Sequence, residues 1–318
     1  MTQWDSPALF RPVERDLRLD FFRGLGLWMI FLDHIPHDVV SWLTLRNYGF
    51  SDAAEFFVFI SGYLVGWIYA PIVRGGLFLA AVKRLWKRAA QMYVAHIMLF
   101  LIFTAQIART ARRFDNPMYE NEFNVFNFLQ HPDVLIGQAI TLRYKPVNLD
   151  VLPLYIILVL AAPFIVWCLV RRPNLTLLGS IVLYVAIYPI DKTDLDMLRF
   201  THFLALAAFA TLFISPKWKP LTSKWLRPVI LCGQHSLPIF CIGVLLSFSA
   251  HWILTQYTKG VWEQLAVSAA GILIMVAIAW FLDRAAKVPD LFVRVTESDQ
   301  SAPEAGETMI KGSQVAAH

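Results

Sequence analysis

Residues 20–34 read DFFRGLGLWMIFLDH, an apolar stretch that contains four ionisable side chains. The whole chain of 318 residues is apolar too, since 57% of its residues are hydrophobic and 16% are charged. Its mean hydropathy is +0.53, whereas soluble domains carry more charge. Because lipid offers no water to backbone groups, apolar runs of about 17 to 25 residues are expected to form helices. The sequence therefore predicts an all-α, polytopic membrane helix bundle.

Apolar runs of this kind recur about eight times along the chain. They lie near residues 20–40, 53–73, 89–108, 151–170, 174–190, 198–214, 228–254 and 262–282. Lys and Arg are concentrated before the first run, between the second and third, after the fourth, before the seventh and after the eighth. By the positive-inside rule, both termini are predicted to be cytoplasmic.

This assignment divides the chain into three predicted parts. Residues 1–18 form a cytoplasmic segment, residues 19–288 form the transmembrane domain, and residues 289–318, which are polar, form a disordered cytoplasmic tail. The cations are distributed among short loops, so no nucleic-acid surface is expected. The three cysteines lie in apolar runs without metal-ligand spacing, and no metal site or bound cofactor is predicted.

The first apolar run places ionisable groups on one face of its helix. Arg23 and His34 are eleven residues apart, which puts them on the same face about 16 Å apart. Asp20 lies one turn before Arg23, and Asp33 points about 100° away from this face. Exposing each charge to lipid costs about 2.5 kcal/mol or more. We therefore expect these groups to line a polar cavity; the alternative is an internal Asp20–Arg23 pair and a histidine that bonds a neighbouring helix.

Two further clusters of residues are candidates for binding. In the second run, Glu55 shares a face with Gly62 and Gly66, so we expect a buried acid above small residues that permit close helix packing. In the basic stretch VKRLWKRAAQMYVAH, Arg84 and Arg88 are four residues apart and can hold phosphate groups together. The alternative for these two arginines is ordinary anchoring at the cytoplasmic surface.

Six stretches of the chain carry a resemblance to a known family. They are RLDFFRGLGLWMIFLDHIPH, TLRNYGFSDAAEFFVFISGYLVGWIY, KRLWKRAAQMYVAH, NLDVLPLYIILVLAAP, LRFTHFLALA and GQHSLPIFCIGVLLS. In this order they resemble the OpgC-type osmoregulated periplasmic glucan succinyltransferases, a branch of the acyltransferase family 3 of membrane O-acyltransferases. The arrangement Arg-x10-His, from Arg23 to His34, is similar to that family's catalytic motif.

The resemblance implies a multi-pass protein of the bacterial inner (plasma) membrane with two substrates. The donor would be a cytoplasmic acyl-CoA, with succinyl-CoA expected, and the acceptor would be a sugar hydroxyl of a periplasmic glucan. It implies that His34 is the general base and that Asp33 supports the imidazolium which forms. Arg23 would then contact a CoA phosphate or the free carboxylate of a succinyl group. The lipid bilayer and the glucan are the expected partners.

The stretch NLDVLPLY opens the fourth predicted helix near the expected entrance for the acceptor. Asn148, Asp150 and Tyr155 are candidates to bind sugar hydroxyls there. The alternative for Asn148 and Asp150 is an N-cap of that helix.

The chain departs from the family pattern after Ile190, where relatives with about ten helices carry additional membrane spans. Two alternatives to an active acyltransferase therefore stay open. One is a shortened, inactive family member that acts as a membrane binding or assembly component. The other is a proton-coupled transporter that uses Asp20, Glu55 and His34 as relay groups, although no repeat symmetry supports it.

Overall fold

The computed structural model describes residues 16–36, 38–48, 52–187, 218–257 and 260–300. Within these ranges the chain is helical and contains no β-strand, which confirms the predicted all-α class for this part of the chain. The α-helices in chain order are α1 (Leu17–Asp33), α2 (Ala53–Arg74), α3 (Phe78–Arg113), α4 (Met118–Glu122), α5 (Phe126–Gln130), α6 (Pro132–Ile140), α7 (Val151–Arg171), α8 (Pro173–Ile187), α9 (Arg227–Gln234), α10 (Ser236–Gln256) and α11 (Val261–Gln300). Short 3-10 helices occupy Val39–Leu43, Leu45–Asn47 and Lys219–Thr222.

Five of these helices are long and apolar enough to cross a membrane, which supports a membrane-embedded protein. They are α2, α3, α7, α10 and the part Val261–Ala286 of α11. Helix α1 has 17 residues and α8 has 15, so both are shorter. The span predicted near residues 198–214 lies outside the described residues. The count of eight spans and the orientation of the termini therefore stay predictions.

Helix α1 lies at the centre of the bundle, where it packs against α2, α9 and α10. Leu27 and Phe31, each 1% exposed, are part of the main hydrophobic core. The helix begins after Asp16, whose carboxylate accepts from the Arg18 backbone N–H at 3.0 Å and pairs with its guanidinium at 2.7 Å. Hydrogen bonding to the Arg18 side chain lowers the pKa of Asp16. The N-terminus of α1 is thus capped by a charged side chain.

The predicted extension of the first helix to about residue 40 is wrong. Helix α1 ends at Asp33, and the backbone N–H of His34 donates to the Ile30 carbonyl. Pro36 has no N–H to continue the helix, so the chain leaves the helical path before it. Asp38 then caps the following 3-10 helix by accepting from the Val40 backbone N–H at 3.1 Å.

Two glycines allow α1 and α9 to approach each other closely. A Cβ atom on Gly24 would collide with the backbone carbonyl of Val229, and one on Gly233 would collide with the backbone carbonyl of Asp20. The helix backbones are therefore in direct contact, as in other close contacts between membrane helices. By contrast, a Cβ on Gly62 or Gly66 would meet no atom within 4 Å, so the close packing predicted for that face of α2 is absent from the described bundle.

The segment predicted as one helix near residues 228–254 is two helices, α9 and α10, which meet at His235. Pro238 in the first turn of α10 has no N–H to donate to the Gln234 carbonyl. Its ring also clashes with that carbonyl in a continuous helix, so the chain breaks just before it. The break lies next to α1, because Gly233 contacts Asp20 on one side of it and the Ser236 hydroxyl contacts Arg23 on the other.

Helix α3 is much longer than its predicted apolar span. It has 36 residues, which corresponds to a length of about 54 Å, so the basic stretch around Arg84 is part of the same helix. Beyond α3, the short helices α4–α6 and their loops pack their aromatic side chains on the bundle. Tyr119 and Phe123 are each 1% exposed, and the Tyr144 hydroxyl donates to the Asn124 carbonyl.

Helix α11 runs to Gln300, into the segment 289–318 for which the sequence predicts a disordered tail. The remaining residues 301–318 lie outside the described residues.

Candidate active site

A cavity of about 320 Å³ lies where α1 ends and where α2 and α7 begin. We call it the His34 cavity. Its lining consists of Ile30, Asp33, His34, Arg46, Asp52, Ala53, Ala54, Asp150 and Val151. The structure therefore brings together three residues that the sequence singled out, His34, Asp33 and Asp150.

The imidazole of His34 is held in one orientation by the backbone of its own helix. Its Nδ1 lies 2.5 Å from the Ile30 carbonyl oxygen. A carbonyl only accepts hydrogen bonds, so Nδ1 carries the proton and Nε2 of the neutral ring carries the lone pair. The side chain is half-buried in the wall of the cavity. His34 thus has the tautomer in which Nε2 can act as a general base.

Asp33 lines the same cavity as His34. The histidine ring is oriented by the Ile30 carbonyl and not by the Asp33 carboxylate. The Asp33 carboxylate accepts from the Thr44 hydroxyl at 2.5 Å. Thr44 lies in the segment of 3-10 helices that follows α1, and it is 1% exposed. This contact fixes the Asp33 carboxylate in the wall of the cavity.

Carboxyl groups outnumber cations among the described residues that line the His34 cavity. Three carboxyl groups line the cavity, those of Asp33, Asp52 and Asp150, against one guanidinium, that of Arg46. Nearby carboxylates stabilise the imidazolium that forms when a base takes up a proton. Arg46 and Asp52 were not predicted as site residues, although both lie in the stretch TLRNYGFSDAAE that carries part of the family resemblance.

The alternative of an N-cap is wrong for the side chain of Asp150. This residue stands at the N-cap position of α7, but its side chain makes no capping hydrogen bond. Its backbone angles, φ −76° and ψ −30°, are already helical. Asn148 has a left-handed φ of 74°, which asparagine tolerates better than most residues. Asn148 therefore shapes the turn before α7, whereas the exposed carboxylate of Asp150 lines the cavity.

A second cavity, of about 400 Å³, lies between α1, α2, α3 and α7. We call it the Arg84 cavity. Its polar lining consists of Arg23, Ser61, Tyr69, Arg84, Lys87, Arg88, Gln91 and Tyr155. Four basic side chains from two helices thus face one space, an arrangement suited to phosphate groups. Lys87 was not predicted, although its i, i+3 spacing from Arg84 was a usable signal.

Arg23 is positioned in the wall of the Arg84 cavity by α10 and α2. Its Nη2 donates to the hydroxyl of Ser236, which is 3% exposed. Its guanidinium carbon lies 5.8 Å from the centre of the Phe57 ring, within cation–π range. No role was predicted for Ser236, and the structure identifies it as the residue that holds Arg23.

The remaining predicted binding residues lie apart from the His34 cavity. Tyr155 lies within α7, as predicted, but it lines the Arg84 cavity and not the His34 cavity that Asp150 lines, and its role in binding a sugar hydroxyl stays a prediction. Asp20 is 4% exposed and accepts from the Gln234 amide at 3.5 Å, between α1 and α9. Glu55, predicted to be buried, is only half-buried in the first turn of α2, where its backbone N–H donates to Asp52. Among the described residues, Asp20, Glu55 and Asn148 line neither cavity.

Phe57 separates the two cavities along α2. Ala53 and Ala54 line the His34 cavity, Ser61 lines the Arg84 cavity, and Phe57 lies between them on the same helix face. Its ring is 4% exposed and contacts the Tyr155 ring at 6.1 Å between centroids. Arg23 and His34 are about 16 Å apart along α1 and line different cavities. Where α1, α2 and α7 meet, a cluster of basic side chains and the His34 imidazole therefore lie on either side of one aromatic ring.

In the described part of the chain, no three His, Cys, Asp or Glu side chains are arranged to hold a metal ion. A family model described as OpgC protein matches residues 15–187 and residues 185–287. The two matched segments overlap at residues 185–187, just before Ile190, after which the sequence is expected to depart from the family pattern. No curated protein and no solved structure matches the chain.

Proposed function

The chain belongs to the OpgC protein family, and from that premise we propose that it is a membrane O-acyltransferase that modifies a periplasmic glucan. The acyl group is proposed to be succinyl, its donor a cytoplasmic acyl-CoA, and its acceptor a sugar hydroxyl. The observation that supports this most is the pair of cavities along α1. One contains a histidine with an accepting Nε2, and the other contains four basic side chains.

The Arg84 cavity is proposed to bind the phosphate groups of the donor. Arg84, Lys87 and Arg88 reach it from α3, and Arg23 reaches it from α1. Guanidinium groups bind phosphate through two parallel hydrogen bonds, and lysine adds a point charge. The positive-inside rule places this basic stretch at the cytoplasmic surface, where acyl-CoA is made. The extended arm of CoA would then run past Phe57 towards His34, a distance of about 16 Å along α1.

The His34 cavity is proposed to carry out the transfer. Nε2 of His34 takes the proton of the sugar hydroxyl as its oxygen bonds to the thioester carbonyl carbon. The carbon–sulfur bond breaks, and the imidazolium returns the proton to the departing thiolate. The products are a sugar ester and the free thiol of CoA. The carboxylates of Asp33 and Asp150 stabilise the imidazolium between these two steps.

The test measures transfer of radiolabelled succinyl and acetyl groups to periplasmic glucans. It uses cells from which the native protein has been removed and in which wild type or a variant is expressed. Wild type is expected to transfer one of these groups, and His34→Ala is expected to lower transfer by about 10²- to 10⁴-fold, as for the loss of a general base. His131→Ala is the matched control, because His131 is exposed and lies outside both cavities. It is expected to behave as wild type.

The outcomes separate the proposed function from its alternatives. Equal transfer by wild type and His34→Ala, at equal amounts in the membrane, would remove His34 from the reaction. No transfer by wild-type protein that is well inserted would favour an inactive component, and would make the spans missing after Ile190 decisive. Substrate flux that depends on the proton gradient, without glucan modification, would favour a transporter.

A further inference from the structure

A third cavity, of about 720 Å³, lies between α4, α10 and the beginning of α11. We call it the His251 cavity. It is larger than the His34 and Arg84 cavities, and the proposed acyl transfer gives it no role. Its polar lining consists of Asn116, Tyr119, Asn121, Glu122, His251, Thr255 and Gln264. The described residues that line it include no Lys or Arg, so it offers no phosphate site comparable to the Arg84 cavity.

A hydrogen bond between side chains joins the two sides of this cavity. Nε2 of His251 lies 3.1 Å from Oε2 of Glu122, which connects α10 to α4. The His251 ring is buried and meets the rings of Tyr119 and Phe123 edge to face, at 6.0 and 5.6 Å between centroids. The Glu122 side chain is 38% exposed. The carboxylate is therefore held by a rigid partner while it stays accessible from the cavity, and a carboxylate can accept several hydrogen bonds.

The His251 cavity adjoins the segment that carries His34. Pro36 forms part of its wall and follows His34 by two residues, which is at most about 7 Å between Cα atoms. Gln264, also in its wall, accepts from the backbone N–H of Val39 at 2.7 Å. A ligand in the His251 cavity therefore lies next to the chain that leads into the His34 cavity.

We propose that the His251 cavity binds the neutral sugar units that flank the acceptor hydroxyl of the glucan; this rests on the proposed function. A saccharide presents many hydroxyl groups, each of which donates and accepts. Amide side chains, a hydroxyl and an accessible carboxylate complement such a ligand. The glucan chain would lie in the His251 cavity and extend past Pro36, so that one hydroxyl reaches Nε2 of His34. Acceptor recognition and proton transfer then use adjacent but separate sites.

The test measures binding of a neutral glucose oligosaccharide to the full chain in lipid nanodiscs by titration calorimetry. Wild type is expected to bind, and Glu122→Ala is expected to weaken binding about tenfold or more, as for a lost hydrogen bond to a charged group. Glu120→Ala is the matched control, since Glu120 belongs to the same short helix α4 but is not in the cavity lining. Thr255→Val, a change of similar volume, provides a second variant if Glu122→Ala does not fold.

A second measurement separates this proposal from the proposed function. With His34→Ala, oligosaccharide binding is expected to persist while transfer is lost. If wild type transfers the acyl group but Glu122→Ala and Thr255→Val leave both Kd and KM for the oligosaccharide unchanged, the acceptor cavity is refuted and the enzyme stands. If wild type binds the oligosaccharide through Glu122 yet transfers nothing, the binding site stands and the enzyme is refuted. No binding by well-folded wild type would overturn the site directly.

Discussion

Replacing Arg88 by Gln, with Lys83→Gln as control, separates phosphate binding from simple anchoring at the membrane surface. Both residues are exposed on α3 and belong to the same basic stretch. Arg88 lines the Arg84 cavity, whereas Lys83 is not in its lining. On a helix, Arg88 lies about 40° from Arg84 around the axis, and Lys83 lies about 100° away on the other side. The two variants remove the same charge from the stretch, but only one removes it from the cavity.

The expected magnitude follows from the environment of Arg88. A hydrogen bond to a charged group contributes about 1.5 to 3 kcal/mol. Because Arg88 is exposed, solvent and salt screen its charge, and about 1 to 2 kcal/mol is expected to remain. This corresponds to an increase of about 5- to 30-fold in the KM for acyl-CoA. The turnover number is expected to stay unchanged, because a phosphate contact far from the reacting carbon is made equally in ground state and transition state.

The assay is succinyl transfer in membrane vesicles whose cytoplasmic face is accessible, over a range of acyl-CoA concentrations. Arg88→Gln is expected to raise KM, and more salt is expected to reduce the difference from wild type. Lys83→Gln is expected to leave KM unchanged. A similar KM for all three proteins, or an equal loss of inserted protein in both variants, would refute phosphate binding and would leave membrane anchoring as the role of Arg88.

Two further predictions concern the packing and the positioning of α1. Gly24→Ala is expected to lower stability by about 1 to 3 kcal/mol, because the added Cβ collides with a backbone carbonyl of α9. Gly62→Ala is expected to raise stability by about 0.5 to 1 kcal/mol, because the added Cβ faces open space. Thermal unfolding in detergent checks this pair, and equal melting temperatures would contradict the close contact. Ser236→Ala is expected to raise the KM for acyl-CoA several-fold, since it releases the guanidinium of Arg23, and to lower the melting temperature because that guanidinium loses a buried partner. An unchanged KM would show that Arg23 needs no partner in α10.

Most of the helical architecture could be predicted because hydropathy and helix periodicity are local properties. The spans at α2 and α7 agree closely with the predicted runs. The errors occur where proline interrupts an apolar run, after Asp33 and at His235, because hydropathy does not register a missing backbone N–H. The length of α3 was underestimated for a related reason, since a basic stretch can be helical beyond the apolar span.

The candidate site was predicted in part, and the omissions have a common cause. Residues on one helix, such as the Arg23 and His34 pair or the Arg84 and Arg88 pair, follow from the helical repeat. Ser236 could not be assigned, because its partner Arg23 lies 213 residues away in sequence. The pairing of Glu122 with His251 likewise spans 129 residues. Sequence spacing does not predict which residues of different helices are in contact, because that depends on how the helices pack.

The sequence by itself determined that this is a helical membrane protein of the OpgC family. It also determined that Arg23 and His34 lie on the same face of one helix. The membrane class follows from composition, and the shared helix face follows from a repeat of 3.6 residues. The family follows from the six stretches that resemble it and from the matching family model. Only the tertiary structure decided that Arg23 joins the arginines of α3, that Tyr155 lines their cavity, and that Phe57 separates this cavity from His34. The physical reason is that a cavity is bounded by side chains from several helices, and its position depends on where their backbones can approach, as at Gly24 in α1.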